Sequence, residues 1–147
     1  MANLTSLSGW KRLPRTITKV AVVVISYNTA EMTRQCLEAV LESQGVQLDV
    51  FVIDNASTDR TAVHLARKYR LRKNAELLQK LTELRSDEAV QVRFPSFQTD
   101  SEQVTSIRSG DVGSHTIHIV ESKENLGFGR ANNVAAALTE VPFVLFL

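Results

Sequence analysis

The chain has 147 residues, of which 44% are hydrophobic and 22% charged, and its formal net charge is +1 at pH 7. This length supports one domain with a substantial core, and the near-neutral charge excludes a general attraction to nucleic acid, so we expect no nucleic-acid partner. The single cysteine, Cys36, excludes a disulfide framework and a cysteine metal cluster. The first apolar run, Val20 to Ile25, is too short to span a bilayer, and no signal-peptide pattern precedes it, so we expect a cytoplasmic protein.

Two pairs of strand and helix follow a tail of residues 1–18. The run Val20 to Ile25 is typical of parallel strands that are buried on both faces. Helical spacing extends from Glu31 to about Ser43 and ends before Gly45, and a second apolar strand runs from Asp49 to Ile53. The next segment, residues 54–59, offers Ser, Thr and Asp as N-caps for a helix that reaches Tyr69. This alternation predicts right-handed βαβ units on a mostly parallel sheet.

The regular alternation is interrupted over residues 70–115, which we interpret as an insert, partly disordered, within a domain that spans residues 19–147. Residues 71–81 have apolar positions that fit a continued or restarted amphipathic helix. Residues 99–114 contain few large apolar side chains and two glycines, which predicts an exposed, poorly ordered loop. A short strand before Pro95 is predicted from the alternation of Val90, Val92 and Phe94.

Order returns with a third predicted strand, Thr116 to Val120, followed by a glycine-containing turn at Asn125 to Gly129 and a short helix from Ala131 to Leu138. A last strand, Phe143 to Leu147, is apolar enough to need neighbours on both faces. Ligand sites of open α/β sheets lie beyond the carboxyl ends of such strands. We therefore expect the sequence to be cut at its active site.

Three segments could carry chemistry, and each has a simpler structural interpretation. Tyr27 can stack on a base while Asn28 shapes the turn, although an ordinary strand-to-helix turn looks the same. Asp54 can accept a hydrogen bond from a ribose or base, or it can cap a helix. The glycines in Asn125 to Asn133 permit close approach of a phosphate to a helix N-terminus. The turn after the first strand contains no glycine, which argues against a nicotinamide or flavin dinucleotide domain, and no Walker pattern is present.

Taken together and in this order, four segments resemble family 2 glycosyltransferases of the GT-A fold. They read Val-Val-Val-Ile-Ser-Tyr-Asn, Val-Ile-Asp-Asn-Ala-Ser-Thr-Asp, Asn-Leu-Gly-Phe-Gly-Arg-Ala-Asn-Asn and Phe-Val-Leu-Phe-Leu. The residues of these motifs are most similar to the rhamnosyltransferase-type branch, and the resemblance covers about residues 19–69 and 116–147. It implies an α/β fold: a Rossmann-like GT-A nucleotide-sugar-binding half with a mostly parallel sheet, truncated at the fourth core strand.

The resemblance also implies roles for individual residues. Tyr27 would pack on the nucleotide base, and Asp54 would hydrogen-bond the base or ribose. The family segment Asn-x-Gly-x-x-x-Ala-x-Asn, matched by residues 125–133, would line the donor cleft, and Arg130 would approach the diphosphate or else lie on a solvated helix face. Asn55, with its neighbours in the same motif, is interpreted mainly as a turn and cap residue. The predicted nucleotide-sugar-binding set is Tyr27, Asn28, Asp54, Asn55, Asn125, Gly127, Arg130 and Asn133.

The implied reaction is transfer of a sugar, with inversion, from a nucleotide-diphosphate sugar to a hydroxyl of a glycan, a lipid-linked molecule or another acceptor. Mg²⁺ or Mn²⁺ would hold the departing diphosphate, and its acidic ligands would lie beyond Leu147, as would the catalytic base and the acceptor-binding half. No catalytic or metal-binding residue is therefore assigned, and we expect these residues alone to be inactive. His64, His115 and His118 are interpreted as structural or solvated because their spacing brings no two of them together.

Two alternatives remain beside the enzyme. In the first, the chain is a non-enzymatic nucleotide-binding or interaction module from a natural truncation. In the second, it is a receiver-like domain with Asp54 as the phosphoacceptor. The second is disfavoured because that aspartate belongs after a third strand. The basic run from Arg67 to Lys73 could contact acidic lipid at the inner membrane face, although a solvated helix face is the simpler interpretation.

Overall fold

The computed structural model describes residues 17–147, so residues 1–16 of the predicted tail lie outside the described part. The strands of the described part are β1 (Thr18–Ser26), β2 (Val46–Asp54), β3 (Arg72–Lys73), β4 (Val104–Val112), β5 (His115–Ser122) and β6 (Val144–Phe146). Its helices are α1 (Ala30–Leu41), α2 (Thr61–Lys68), α3 (Ala75–Leu84), α4 (Glu88–Arg93), α5 (Phe97–Gln103) and α6 (Gly127–Leu138).

The strands form one sheet in the order β3-β4-β5-β2-β1-β6. Strands β5, β2, β1 and β6 run parallel, while β4 is antiparallel to β5 and β3 is antiparallel to β4. From β1 the chain passes to β2 beside it, then to the far edge at β3, and returns through β4 to β5 beside β2; it finally places β6 on the other side of β1. This confirms the predicted α/β class with a mostly parallel sheet, and it creates a switch in strand order beside β1, where ligands bind in open α/β sheets.

Helices cover both faces of the sheet, and the apolar strand runs explain why. Along β1, Ala21 and Val23 pack with α3, α5 and α6, while Val22 and Val24 pack with α1 and α2. All four of these side chains are at most 6% exposed. A strand buried on both faces favours apolar side chains at successive positions, which is why β1 and the second half of β2 read as continuous apolar runs. The predicted strands and helices over these segments, including α3 and α6, are confirmed.

The prediction for residues 99–114 is wrong, because α5 and β4 replace the expected loop. Strand β4 buries only Val104 and Ile107 among its apolar side chains, and its other positions are polar or partly exposed. Antiparallel strands tolerate such a polar face, so low hydrophobicity does not exclude them. Regular elements occupy most of residues 70–115. The status of this segment as a partly disordered insert stays a prediction.

The short strand predicted at residues 90–94 is also wrong, because Glu88–Arg93 forms helix α4. Asp87 caps this helix by accepting a hydrogen bond from Ala89 N–H at 2.8 Å. Val90 and Phe94, one helical turn apart, pack against the core, whereas Val92 between them is 77% exposed. The alternation therefore came from an exposed helix position and not from a pleated strand.

The last strand exists as predicted, but its expected burial is wrong for the described residues. β6 pairs with β1 alone, through hydrogen bonds such as Leu147 N–H to Val23 O at 2.9 Å. Its residues Val144 and Leu145 are 36% and 49% exposed. Within the part that the structure describes, β6 is an open apolar edge of the sheet.

Candidate functional site

The loop after β1 is fastened to the loop after β2. Asn28 adopts a left-handed conformation with φ +54°. Its backbone N–H donates to Ser57 Oγ at 3.0 Å, and its side-chain Oδ1 accepts from Thr58 N–H at 2.7 Å. Tyr27, one residue earlier, stays 50% exposed at the carboxyl end of β1. A half-exposed aromatic ring beside an ordered loop can stack on a planar ligand.

Asp54 ends β2 and is only 6% exposed. One carboxylate oxygen accepts from Ser57 N–H at 3.1 Å, and the other accepts from Ala62 N–H, in the first turn of α2, at 3.2 Å. The cap interpretation of this residue is thus present in the structure. Each carboxylate oxygen can still accept from one further donor, so the ligand role of Asp54 stays a prediction.

Asp59 caps two helices at once. One of its oxygens accepts from Ala30 N–H, at the start of α1, and the other from Thr61 N–H, at the start of α2, both at 3.1 Å. The Thr61 hydroxyl also donates to Asp59 and is the main cause that holds the pKa of this carboxyl below its usual range, with the two backbone N–H groups adding to it. Asp59 therefore aligns both helix N-termini at the carboxyl edge of the sheet.

Asn55 joins the turn after β5 to the carboxyl ends of β1 and β2, and it is 3% exposed. Its N–H donates to Ser26 O at 2.8 Å, its Nδ2 donates to Asn125 Oδ1 at 2.8 Å, and its Oδ1 accepts from Leu126 N–H at 2.7 Å. Sequence reasoning placed Asn55 in a turn but did not identify this link. The shared strand edge was the only available signal.

The segment that begins α6 is held from several directions. Asn125 Oδ1 also accepts from Gly127 N–H at 2.8 Å, and Gly127 has φ +73°, a conformation that favours glycine. A Cβ added at Gly127 would meet nothing within 4 Å, so this residue faces open space at the start of α6. Asn133 lies farther along α6 and is partly buried.

Arg130 has a partner that the sequence did not reveal. Its Nε donates to Leu126 O at 2.7 Å, and its Nη1 lies 3.4 Å from Oδ1 of Asp100, a carboxylate of α5 with no exposed surface. Burial raises the pKa of Asp100, while the Ser96 hydroxyl and Arg130 lower it. The Arg130 guanidinium thus contacts Leu126 O and Asp100. Neither the predicted diphosphate contact nor the predicted solvated helix face included these partners.

The structure therefore brings Asn28, Asp54, Asn55, Asn125 and Gly127 into connected loops at one edge of the sheet, with Tyr27 exposed beside them. Arg130 and Asn133 lie along α6, which begins at this edge. Within residues 17–147, no group of three or more His, Cys, Asp or Glu side chains could hold a metal ion. In the same range, no helix is both long and apolar enough to cross a membrane.

A mostly parallel sheet with its polar loops joined beside the switch in strand order makes this a Rossmann-like α/β domain, consistent with a GT-A half. Residues 21–93 match the model of the family described as glycosyl transferase family 2. This match supports placing the chain among the family 2 glycosyltransferases. It spans β1 to α4, so it includes the loops after β1 and β2 and ends before Asn125. Comparisons with curated proteins and with solved structures gave no match.

Proposed function

We propose that this chain provides the donor-binding part of a glycosyltransferase that moves a sugar, with inversion, from a nucleotide-diphosphate sugar to an acceptor hydroxyl. The observation that carries the proposal is the joining of three loops at the carboxyl edge of β1, β2 and β5, next to the switch in strand order. Ligands of open α/β sheets bind at this position. The wording of the motifs favours a rhamnosyltransferase-type donor.

In the proposed complex, the Tyr27 ring stacks on the nucleotide base, and the free lone pairs of Asp54 accept from the base or ribose. The diphosphate lies toward the N-terminus of α6, where Gly127 leaves open space and backbone N–H groups favour an anion. Arg130 supports this turn through Leu126 O and is not itself the main diphosphate ligand. Asn55 and Asn125 hold the two loops at a fixed separation.

We further propose that Mg²⁺ or Mn²⁺ takes part in the reaction. The described residues do not fit a metal site, since they contain no suitable cluster of His, Cys, Asp or Glu. The proposal therefore takes the metal ligands, together with the catalytic base and the acceptor-binding groups, from outside residues 17–147. A cytoplasmic location, with Arg67 to Lys73 touching acidic lipid, is part of the same proposal.

The proposal predicts that a nucleoside diphosphate binds and that Tyr27→Ala weakens the binding. Stacking of a base on an aromatic side chain contributes about 1–3 kcal/mol, so we expect the dissociation constant to rise by about 5- to 150-fold. Isothermal titration calorimetry with UDP and with dTDP measures this change. Val92→Ala, which removes another exposed side chain on the distant helix α4, serves as the matched control.

Each outcome of this titration has a definite meaning. Binding that Tyr27→Ala weakens and Val92→Ala leaves unchanged supports the proposed site. Binding that neither variant alters removes Tyr27 from the site, and failure of both nucleotides to bind contradicts the proposed function. Binding without sugar transfer is expected both for the donor-binding part of an enzyme and for a non-enzymatic nucleotide-binding module, so the titration tests the site that the two proposals share.

A further inference from the structure

We propose that Ser109 is a nucleophile in a second site, activated by His118 and Asp49, which accepts the acyl group of a carboxylic ester. The three residues come from three adjacent strands, β4, β5 and β2, on the sheet face that α3, α5 and α6 cover. Asp49 lies in the amino-terminal half of β2, away from the loops of the donor site. The family model match and the donor-site motifs assign no role to this cluster.

The three side chains form a continuous hydrogen-bonded array. Ser109 Oγ lies 2.7 Å from His118 Nδ1, and His118 Nε2 lies 2.7 Å from Asp49 Oδ1. Ser109 and His118 are direct neighbours across the β4–β5 pair, and the imidazole stacks on Phe51 with 4.6 Å between ring centroids. A hydroxyl within hydrogen-bond reach of a base that a third group orients is the arrangement of an activated nucleophile.

The surrounding donors fix the direction of the array. Asn74 Oδ1 accepts from Leu77 N–H at 2.8 Å, which orients its amide so that Nδ2 donates to Ser109 Oγ at 3.0 Å. Since Oγ accepts from Asn74, its own proton is free to point to His118 Nδ1. The imidazole proton then sits on Nε2 and faces the carboxylate of Asp49. This is the tautomer that a general base needs, and it is assigned here from the hydrogen-bond network.

The base and its orienting group are more buried than the serine, as a nucleophile that must reach a substrate requires. The side chains of His118 and Asp49 are only 12% and 13% exposed, which shields the base and its orienting group from water. Ser109 is partly exposed and borders an open cleft, whose other lining residues are Arg72, Lys73, Asn74, Ala75 and Glu76. The amide of Asn74, already aimed at Oγ, is the nearest donor for a developing oxyanion.

The proposed step conserves atoms and electrons. Ser109 Oγ attacks the ester carbonyl carbon while its proton passes to His118 Nδ1, and the carbonyl oxygen becomes an oxyanion beside Asn74 Nδ2. Collapse of this intermediate breaks the bond to the alcohol oxygen, which leaves with the proton from His118. Water, deprotonated by His118, then hydrolyses the acyl-serine and restores the hydroxyl.

A purely structural role makes a different prediction. Lys19 Nζ lies 4.0 Å from the second oxygen of Asp49, so the polar chain extends from β1 to the start of α3 and can pin the register of the sheet. Such a chain contributes to stability but gives no serine unusual reactivity. Selective, base-dependent reactivity at Ser109 therefore separates the two roles.

The test is labelling of the folded 147-residue chain with a fluorophosphonate probe, followed by peptide mass spectrometry. The probe forms a bond from serine oxygen to phosphorus and releases fluoride, so it reports nucleophilicity without a known substrate. We expect one dominant adduct at Ser109, and we expect His118→Gln to slow it at least about a hundredfold. Asp49→Asn slows it as well, and Ser106→Ala, on the same strand, leaves it unchanged. The adduct forms equally with and without UDP, which keeps this test independent of the donor site.

Three results would overturn the proposal. The first is an unmodified Ser109 in the wild-type chain, and the second is labelling of Ser109 no faster than that of Ser106. The third is a Ser109 rate that His118→Gln does not change. The first two need no variant, so a misfolded His118→Gln chain, detected by circular dichroism, does not prevent a decision.

Discussion

Single carboxylates and amides organise the loops at the carboxyl edge of the sheet. Asp54 caps α2, Asp59 caps both α1 and α2, and Asn55 hydrogen-bonds the turn before α6. Their hydrogen bonds go to backbone groups of other segments, so a change in one of these side chains alters more than one loop. Ligand contacts and backbone support must therefore be separated experimentally.

Asp54→Ala and Asp59→Ala form a matched pair for this separation. Each variant removes a carboxylate that caps α2, so each is expected to lower the free energy of unfolding by about 1–2 kcal/mol. Only Asp54→Ala is expected to weaken nucleotide binding, about tenfold, because Asp54 alone carries the proposed ribose or base contact. Urea unfolding and calorimetry on both variants measure the two effects. Equal loss of affinity in both would assign the effect to the helix cap.

Asp59 also predicts a pH dependence of stability. Its pKa is lowered in the folded chain, first by the Thr61 hydroxyl and then by the N–H groups of Ala30 and Thr61. A carboxyl of this kind stabilises the fold fully above its unfolded pKa, about 4, and loses that contribution as the pH falls through the folded value. We expect the wild-type chain to lose stability below about pH 4 more steeply than Asp59→Ala does. Parallel curves from urea unfolding across this range would contradict the assignment.

The sequence could place these residues but not their partners. Tyr27, Asp54 and Asn125 follow predicted strands, and parallel strands end at one edge, so their common location was predictable. The contact of Asp59 with Ala30 depends on how the loops after β1 and β2 pack. The left-handed conformation of Asn28 depends on its hydrogen bonds to the loop after β2. The partner of Arg130, Asp100, lies in a helix that polar composition had suggested was a loop.

At the scale of single elements, the start of α6 depends on the backbone conformation of one glycine. Gly127 has φ +73°, and a Cβ there meets nothing within 4 Å, so Gly127→Ala tests backbone strain without a clash. We expect a loss of about 1–2 kcal/mol. Gly129→Ala is the control, because its Cβ is equally unobstructed and its φ is not positive; it is expected to be neutral or to stabilise the helix by about 0.5–1 kcal/mol. Thermal or urea unfolding of both variants measures the change in the free energy of unfolding. Equal changes in the two variants would contradict the strain argument.

Elements with strong apolar patterns were predictable, and elements defined by position in the fold were not. The apolar runs in β1 and β2 follow from burial on both faces. Strand β4 lies on the antiparallel side of the sheet and needs only Val104 and Ile107 in the core, so its sequence is mostly polar. The available signal was the two-residue turn at Gly113 and Ser114, which joins β4 to β5 as a hairpin.

For the whole molecule, the open edge at β6 predicts self-association of the 147-residue chain. Phe143 to Leu147 exposes consecutive apolar side chains on a strand whose second edge is unpaired within the described residues. Such edges template pairing with another chain, and a charge on the edge opposes it. We expect sedimentation velocity to show concentration-dependent association that Leu145→Lys reduces. Val92→Lys, at a more exposed position on α4, is expected to have no effect, and a monomer at all concentrations would contradict the prediction.

The strand order also determines which contacts can form early as the chain folds. The β4–β5 hairpin closes through a two-residue turn, whereas most of the described chain separates β1 from β6 in sequence. Hairpins form in microseconds, while pairings distant in sequence carry a larger loop-closure entropy and slow the transition state. The β4–β5 hairpin, which contains the neighbouring residues Ser109 and His118, can therefore nucleate the sheet, and the β1–β6 pairing is expected to form last. During synthesis, this order leaves β1 without its β6 neighbour until residues 144–146 emerge.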